Sequence, residues 1–598
     1  MNVMQVINGD TFARSFFPRL PELVRSDVKR KVESRKNRTN PTKENLERAA
    51  RDAVNFGLRH AAYIEDKYPF VDYRKKSKPC RLTHDILMSD TALSKLAEVV
   101  SNENAQFIAS LDASSFLSYK EALTHLYESL SLSLKGIFIN SPTVTFKGKD
   151  EEELERSIEI ALLKLQDESW IEKRLMHLRA QYIEYSQITL LRVGDKPHQT
   201  SYVSPLSFTN WKRKQREGLQ FIDAMVVLNN ETGENFDLSE VVKRTTANPE
   251  NRRIEMMVRS RGFEELAQDL GYTALFITWT LPSKYHRNSA KWDGSSVKEG
   301  HQALMDKWAN ARAMIAKEEI EYFGFRVAEP HKDGTSHGHY FLFCSHGDKS
   351  RLIEIIKSCA ISEDRAELGN DISKRFDVKE CAPSKGGATA YIAKYISKNI
   401  NGNHMPESEA EESAYRVRAW ASTHRIRQFQ QFGGEPVSLW RNLRKAEASD
   451  TLPISEELEE LRQAADSSKW SLFCKLATKA KIEYQEKQNK YGETVRKIIG
   501  FSWLGQLIET ASEQYSLVRR KDLQRALESR SGSPWSTENN CNQISEKPIL
   551  PLEKALMDVT GWSVKGVQCL IPPLMRGSKV SIDRYTDISF TNNRLLVS

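Results

Sequence analysis

The chain has 598 residues, 39% of them hydrophobic and 28% charged, with 88 Lys and Arg against 80 Asp and Glu for a formal charge of +8. That length exceeds what one hydrophobic core serves and predicts roughly three or four domains, while so small a basic surplus is weak evidence for a nucleic-acid partner. Seven cysteines with no C-x-x-C pair argue against a disulfide framework and a structural zinc site. The first residues lack the basic start and apolar run of a secretory signal, and no apolar stretch reaches the length of a membrane span, so a cytoplasmic location with no membrane partner is expected.

In chain order, the stretch from Phe17 to Asn40 is rich in Arg and Lys. It reads either as an arm tracking phosphates or as a solvated helix face, the acidic residues among the basic ones favouring the latter. Apolar residues recur at helical spacing from Leu93 to Leu132. Asp150 opens a long helical segment to about Tyr185, its first turn acidic as the helix dipole prefers. Gly194 to Thr209, with two prolines, reads as a linker. Trp211 and the basic residues up to Arg216 suit either a base-stacking, phosphate-binding cluster or a helix with a packed Trp. A helix over Arg252 to Leu270 follows, with Gly271 at its C-terminal cap.

Leu275 to Thr280 alternates as a strand, Phe276, Thr278 and Thr280 on one face and Leu275, Ile277 and Trp279 on the other. Tyr322–Glu329 and His337–Phe343 flank a polar turn and predict a hairpin. His337 and His339 leave the same face of their strand, roughly 6.6 Å apart at the backbone, so two imidazoles converge on one divalent cation. Glu329, ending the partner strand, is the candidate third ligand, ahead of His331 or Asp333 in the turn. Such a donor set leaves positions open for water and a phosphate oxygen. Gly386 and Gly387 then precede a helix from about Thr389, on which Tyr391 and Tyr395 lie one turn apart. Each has a lysine three residues later, Lys394 and Lys398, near enough to compensate phosphate charge. A phenol of ordinary pKa about 10 is a poor nucleophile at neutral pH, and both a metal and an ammonium would offset that. With 13 histidines in the chain, H-x-H arises by chance roughly 0.3 times, and Y-x-x-x-Y roughly 0.6 times. The information lies in their conjunction on suitable elements.

The F-x-T-x-T strand, the H-x-H strand and the Y-x-x-x-Y helix together resemble the HUH endonucleases of rolling-circle replication, and more closely the gene A replication proteins of tailed temperate phages. The resemblance runs from Trp211 to about Arg444 and includes Arg259–Glu265, Glu329–Gly334 and Arg416–Gln431. It implies an α+β fold whose central HUH nuclease domain is an antiparallel sheet flanked by helices. It also implies His337 and His339 as ligands of Mg2+ or Mn2+, Tyr391 and Tyr395 as nucleophiles, and nicking of origin DNA, single-stranded or supercoiled, in the host bacterial cytoplasm. Two positions depart from the family pattern: Gly338 stands where a bulky apolar residue is usual, which questions how the strand packs, and Trp279 replaces a Leu.

Beyond the core, Tyr415 to Phe432 is expected as one helix, Ile454 to Gln463 as an acidic helix and Lys479 to Val495 as a charged helix. Ser531–Asn540 reads as a linker, and Val564–Val597 carries no assignable function. The division expected is 1–193, a helical N-terminal region; 194–264, a linker and helices entering the core; 265–445, the catalytic domain; 446–530, a helical C-terminal region; and 531–598, a linker and small terminal segment. No G-x-x-x-x-G-K-[ST] loop occurs, so a host helicase and DNA polymerase acting in trans are expected partners. A relaxase places its tyrosine before the H-x-H pair, and small transposases lack the paired tyrosine and this length. A non-catalytic single-strand binder is the reading from another class, against which the intact His and Tyr set argues.

Overall fold

A computed structural model describes residues 2–38, 42–71, 81–112, 116–146, 150–381, 387–400, 410–511, 514–531, 551–560, 567, 570–571, 574, 579–581, 586–591 and 594–597. It divides into two compact units, Met1–Leu523 and Gln524–Ser598, described here separately. The first mixes helices with antiparallel sheets, as expected. No helix among the described residues is long and apolar enough to cross a membrane.

The N-terminal part is helical through Thr189. In its Glu22–Lys36 helix, Val24, Val28 and Val32 recur at four-residue spacing and are buried. Buried Asp27 pairs with Arg30 and Lys31, and the Lys31 ammonium lies 3.4 Å from the Phe56 ring centroid, so the basic stretch sits on a packed helix face. The single helix expected from Asp150 is two, Glu151–Leu165 and Glu168–Thr189. Asp167 breaks it as a cap, accepting from the Trp170 amide at 3.0 Å and the Tyr491 hydroxyl at 2.8 Å. Nor is 194–209 a linker. Val193 bridges Thr200, the Tyr202 amide donates to the Lys332 carbonyl at 3.0 Å, and fully buried Glu184 accepts from the Ser204 amide at 3.0 Å. These bonds tie the helical region to the predicted hairpin turn and start the Pro205–Ala224 helix.

Strands β1 (Met225–Asn229) and β2 (Asn235–Asp237) precede the Pro249–Asp269 helix. The central sheet follows: β3 (Thr273–Trp279), β4 (Tyr322–Pro330), β5 (Ser336–Cys344), β6 (Phe376–Glu380) and β7 (Phe429–Phe432), in the order β6-β3-β5-β4-β7 with every pair antiparallel. Side-chain alternation gives the sheet two apolar faces. On one, Phe276, Phe325 and Phe341 pack with Phe263, Ile392, Ile396 and Trp470. On the other, Ile277, Trp279, Tyr340 and Leu342 pack with Leu304 and Trp308 of the Val297–Lys317 helix and Ile355 of the Lys349–Ile361 helix. Gly338 lies on this second face, and a Cβ there would come within 2.8 Å of the Tyr340 ring. That ring, fully buried between Trp279 and Trp308, fills the space a bulky residue would take, which explains the departure from the family pattern.

Two further helix expectations fail. Tyr415–Phe432 is a helix, Ala410–His424, followed by β7 on the edge of β4. Arg425 adopts a left-handed φ of 51°, and the Arg425 and Ile426 amides donate back to the Ser422 and Ala421 carbonyls, a Schellman ending that stops the helix. The charged Lys479–Val495 is a hairpin of β8 (Ala480–Gln488) and β9 (Thr494–Trp503). The Asn489 side chain accepts from the Tyr491 and Glu493 amides and Gly492 takes φ 78°, making a turn where helix was expected. The 446–530 region is accordingly only partly helical: β10 (Gln506–Glu509) extends that sheet, and β11 (Tyr515–Arg519) returns to pair with β1. The second unit holds the Pro551–Thr560 helix and a sheet of β12 (Val580–Ser581), β13 (Asp587–Thr591) and β14 (Arg594–Val597), over a small core with Leu556 and Ile588. Residues 532–540 of the expected linker lie outside the described residues.

Candidate active site

The β4–β5 register sets Glu329 directly opposite His337, and His339 opposite Val327. Residues two apart share a face, so all three side chains rise from the same side of the sheet. The Nε2 atoms of His337 and His339 are 2.9 Å apart, and His339 Nε2 is 3.6 Å from Glu329 Oε2. One ligand atom from each residue lies within 4.8 Å of the others. Glu329 and His339 are buried and His337 is half-buried.

The F-x-T strand shapes this group. Thr278 is the register partner of His339, and its hydroxyl lies 3.2 Å from His339 Nδ1. With Nδ1 engaged there, Nε2 is the atom turned toward His337. Phe276 stacks on the His339 ring at 5.4 Å.

The fit to a divalent cation rests on the donor set. Two ligands about 2.1 Å from one ion and at right angles to each other are about 3 Å apart, as the two nitrogens are. Two imidazoles and a carboxylate neutralise part of a 2+ charge and suit Mn2+ or a later first-row metal better than they suit Mg2+, which prefers an all-oxygen shell.

Of the two turn residues, Asp333 is bonded away from the site, while His331 packs beside it with its buried Nε2 making no hydrogen bond. Asp333 lies 3.2 Å from His286 Nδ1 and accepts from the Thr335 amide at 3.0 Å. Burial works to raise its pKa, but the His286 contact and the Thr335 bonds hold it below the usual carboxylate value. The His331 ring packs against His337 at 4.2 Å and His286 at 5.0 Å, its pKa pushed down to about 4 by burial and by His286. His286 carried no sequence signal, since the fold brings it from a turn after β3. Two more side chains brace the turn: Trp420 Nε1 donates to the Gly334 carbonyl at 2.8 Å, and His301 Nδ1 meets the Ser336 hydroxyl at 2.9 Å.

The tyrosine helix spans Gly387–Ile400, buries Ile392 and Ile396 against the sheet and brings Tyr395 to the site. The Tyr395 ring lies 4.3 Å from the His339 ring and 5.7 Å from Phe276. Burial, and then the Glu329 charge, push its phenol up to about 12. Lys394 is exposed and makes no ion pair among the described residues. The side chains of Tyr391 and Lys398 lie outside the described residues. Thr389, in the first turn, donates from its amide at 3.2 Å and from its hydroxyl to Glu264.

Residues 90–403 match the family described as bacteriophage replication gene A protein (GPA). The chain is 36% identical over 416 residues to the probable replication protein P12 of Pseudoalteromonas phage PM2, covering 66% of this chain and 64% of that one. It is 34% identical over 504 residues to the replication gene A protein of Escherichia phage 186, covering 78% and 72%. A probable replication endonuclease from a prophage-like region of Salmonella paratyphi A is 30% identical over 415 residues, covering 63% and 51%. The chain thus spans less than two thirds of the length of some of these relatives. No solved structure matches. The match over more than half of the chain, together with that to the phage 186 protein, shows that this chain belongs to the bacteriophage replication gene A protein family.

Proposed function

We propose that this protein initiates phage DNA replication as a site- and strand-specific nicking and rejoining enzyme, an endonuclease and phosphodiester strand transferase. The observation that carries the reading is the convergence of Glu329, His337 and His339 ligand atoms within 4.8 Å under a tyrosine whose ring is 4.3 Å from His339. The names of the relatives, replication gene A protein and replication endonuclease, point the same way.

In this reading Glu329, His337 and His339 hold Mn2+ or Mg2+, which when bound withdraws charge from the scissile phosphate. Thr278 keeps His339 in the tautomer that offers Nε2. The phenol oxygen of Tyr391 or Tyr395 forms a bond to phosphorus as the bond from phosphorus to the 3′ oxygen breaks. The phenol proton is lost and the 3′ oxygen gains one. The products are a 5′-phosphotyrosine and a 3′-OH primer for rolling-circle synthesis by a host polymerase behind a host helicase. The exchange of one phosphodiester for another conserves the bond, so a later 3′-OH reverses it. Lys394 and Lys398 are proposed to offset phosphate charge as DNA docks.

The test is incubation with a labelled single-stranded oligonucleotide carrying the phage origin region, with Mn2+ or with EDTA. A denaturation-resistant protein–DNA adduct is expected with Mn2+, lost in EDTA and in His337→Ala/His339→Ala. Undiminished adduct from that variant would refute the metal-centre reading.

A further inference from the structure

A cleft of about 280 Å³ opens between the Pro205–Ala224, Pro249–Asp269 and Ala410–His424 helices, lined among others by Trp211, Arg252, Arg418, Ser422 and Gln428. It adjoins the catalytic hairpin, because the Gln428 carbonyl accepts from the amide of Ala328, next to Glu329, at 2.7 Å. Trp211 is buried and stacked on Phe208, so it is not presented to a base. It supports Arg418 instead, whose guanidinium lies 5.5 Å from the indole and 6.0 Å from the Tyr415 ring.

Neither Arg252 nor Arg418 forms an ion pair or side-chain hydrogen bond among the described residues. Half-buried Arg418 is held below its usual pKa by burial and then by the Arg252 charge. Arg252 also stands in the first turn of its helix, where the dipole disfavours a cation and favours an anion. Two mutually repelling arginines in one cleft raise the free energy of the empty site, and a bound anion relieves it.

The cations continue beyond the cleft. Arg425 follows Ser422 and precedes Gln428 in the same segment, and the His177 pKa is pushed down to about 4 by burial first and then by the charges of Arg425, Arg174, Lys298 and Lys214. None of those four forms an ion pair among the described residues either. Lys298 donates to the Arg425 carbonyl at 3.2 Å, which accounts for it as a cap on the Ala410–His424 helix. Arg252 and Arg418 make no such cap, and the ring contacts of Arg418 leave its charge without a counter-ion among the described residues.

We propose that the Arg252–Arg418 cleft binds a phosphate of the single-stranded DNA flanking the scissile bond, with Arg425 and its neighbours carrying the strand onward. The proposal rests on the strand-transfer reading for the identity of its ligand.

The experiment measures binding of a fluorescein-labelled mixed-sequence single-stranded oligonucleotide across a salt series, for the full chain, Arg252→Ala, and Arg252→Ala/Arg418→Gln. Each lost phosphate contact lowers the slope of log affinity against log salt by about 0.7. The double variant is expected to lose about 0.7 of slope, the value for one phosphate, and about tenfold or more in affinity at moderate salt. Exposed Arg252→Ala alone loses part of that slope without disturbing the Arg418–Trp211 contact. The control is Lys481→Ala/Lys497→Ala, exposed lysines of β8 and β9, with no change in slope. An unchanged slope in both arginine variants overturns the proposal, as does weaker binding of a polyglutamate probe with DNA binding intact, which would assign the cleft to an acidic protein segment. Adduct formation distinguishes the two failures. Wild-type protein with the expected slopes but no adduct would count against the nuclease reading alone, whereas normal adduct with unchanged slopes would count against the cleft alone.

Discussion

The Glu264 carboxylate accepts hydrogen bonds from the Thr389 amide and hydroxyl, joining the Pro249–Asp269 helix to the first turn of the tyrosine helix. An anion at that end of a helix offsets the positive pole of its dipole and satisfies an amide with no partner inside the helix. Glu264→Ala should therefore cost about 1–2 kcal/mol locally. Hydrogen exchange across 387–400 should accelerate, and adduct formation should slow more than oligonucleotide binding weakens. Unchanged exchange there would mean that the helix is held by Ile392 and Ile396 alone.

Thr278 tests the orientation of the proposed metal centre without touching a proposed ligand. Thr278→Val removes the hydroxyl 3.2 Å from His339 Nδ1 at nearly constant volume. The Mn2+ concentration giving half-maximal adduct should rise about 10-fold or more, and Glu329→Ala should raise it further. A titration of binding heat checks both without relying on activity. A Glu329→Ala variant that binds Mn2+ as wild type would remove Glu329 from the centre.

The fold was legible in the sequence where the signal is local. Alternation in β3, β4 and β5, with the polar turn 330–336, determined which residues face the site, and a tight antiparallel hairpin makes Glu329 the partner of His337. What the sequence concealed depends on distant pairing. Strand β7 exists because β4 offers an edge, and β11 because β1 lies nearly three hundred residues earlier with its own edge open. The charged residues of β8 and β9 looked helical by composition, and only the Asn489–Gly492 turn separates them into strands. His286 and the Arg252–Arg418 pair belong to no motif, since each is assembled from separate elements.

Gly338 offers a packing test of the second sheet face. Gly338→Ala sets a Cβ 2.8 Å from the Tyr340 ring, and the ring, fully buried between two tryptophans, has little room to shift. A loss of about 1–3 kcal/mol is expected in denaturant unfolding. Neutral behaviour would show that Tyr340 moves freely.

Acid sensitivity has a specific contributor in the C-terminal part of the first unit. Buried Glu459 is held at about 2 by Arg462 at 2.7 Å, with Thr451 and Gln463 adding hydrogen bonds. A carboxylate depressed in the folded state contributes stability above its unfolded pKa of about 4.5, and that contribution disappears as pH falls toward 2. The loss amounts to about 3 kcal/mol at most. Glu459→Gln should be less stable at neutral pH and flatter between pH 4.5 and 2. An equal acid slope in both proteins would contradict this assignment.

The central claim is that the tyrosine hydroxyls of the Gly387–Ile400 helix are the nucleophiles. In the proposed reaction two cuts are needed per round of rolling-circle synthesis, and during the second the first tyrosine would still carry DNA, so each hydroxyl is assigned one cut. The most direct measurement is the yield of covalent adduct and of released circles from wild type, Tyr391→Phe, Tyr395→Phe and the double variant at equal Mn2+. Phenylalanine keeps the ring, which at Tyr395 packs beside His339, and removes only the oxygen. Adduct from wild type and from each single variant, none from the double variant, and closed circles from wild type alone is the predicted result. Adduct from Tyr391→Phe/Tyr395→Phe would contradict the account.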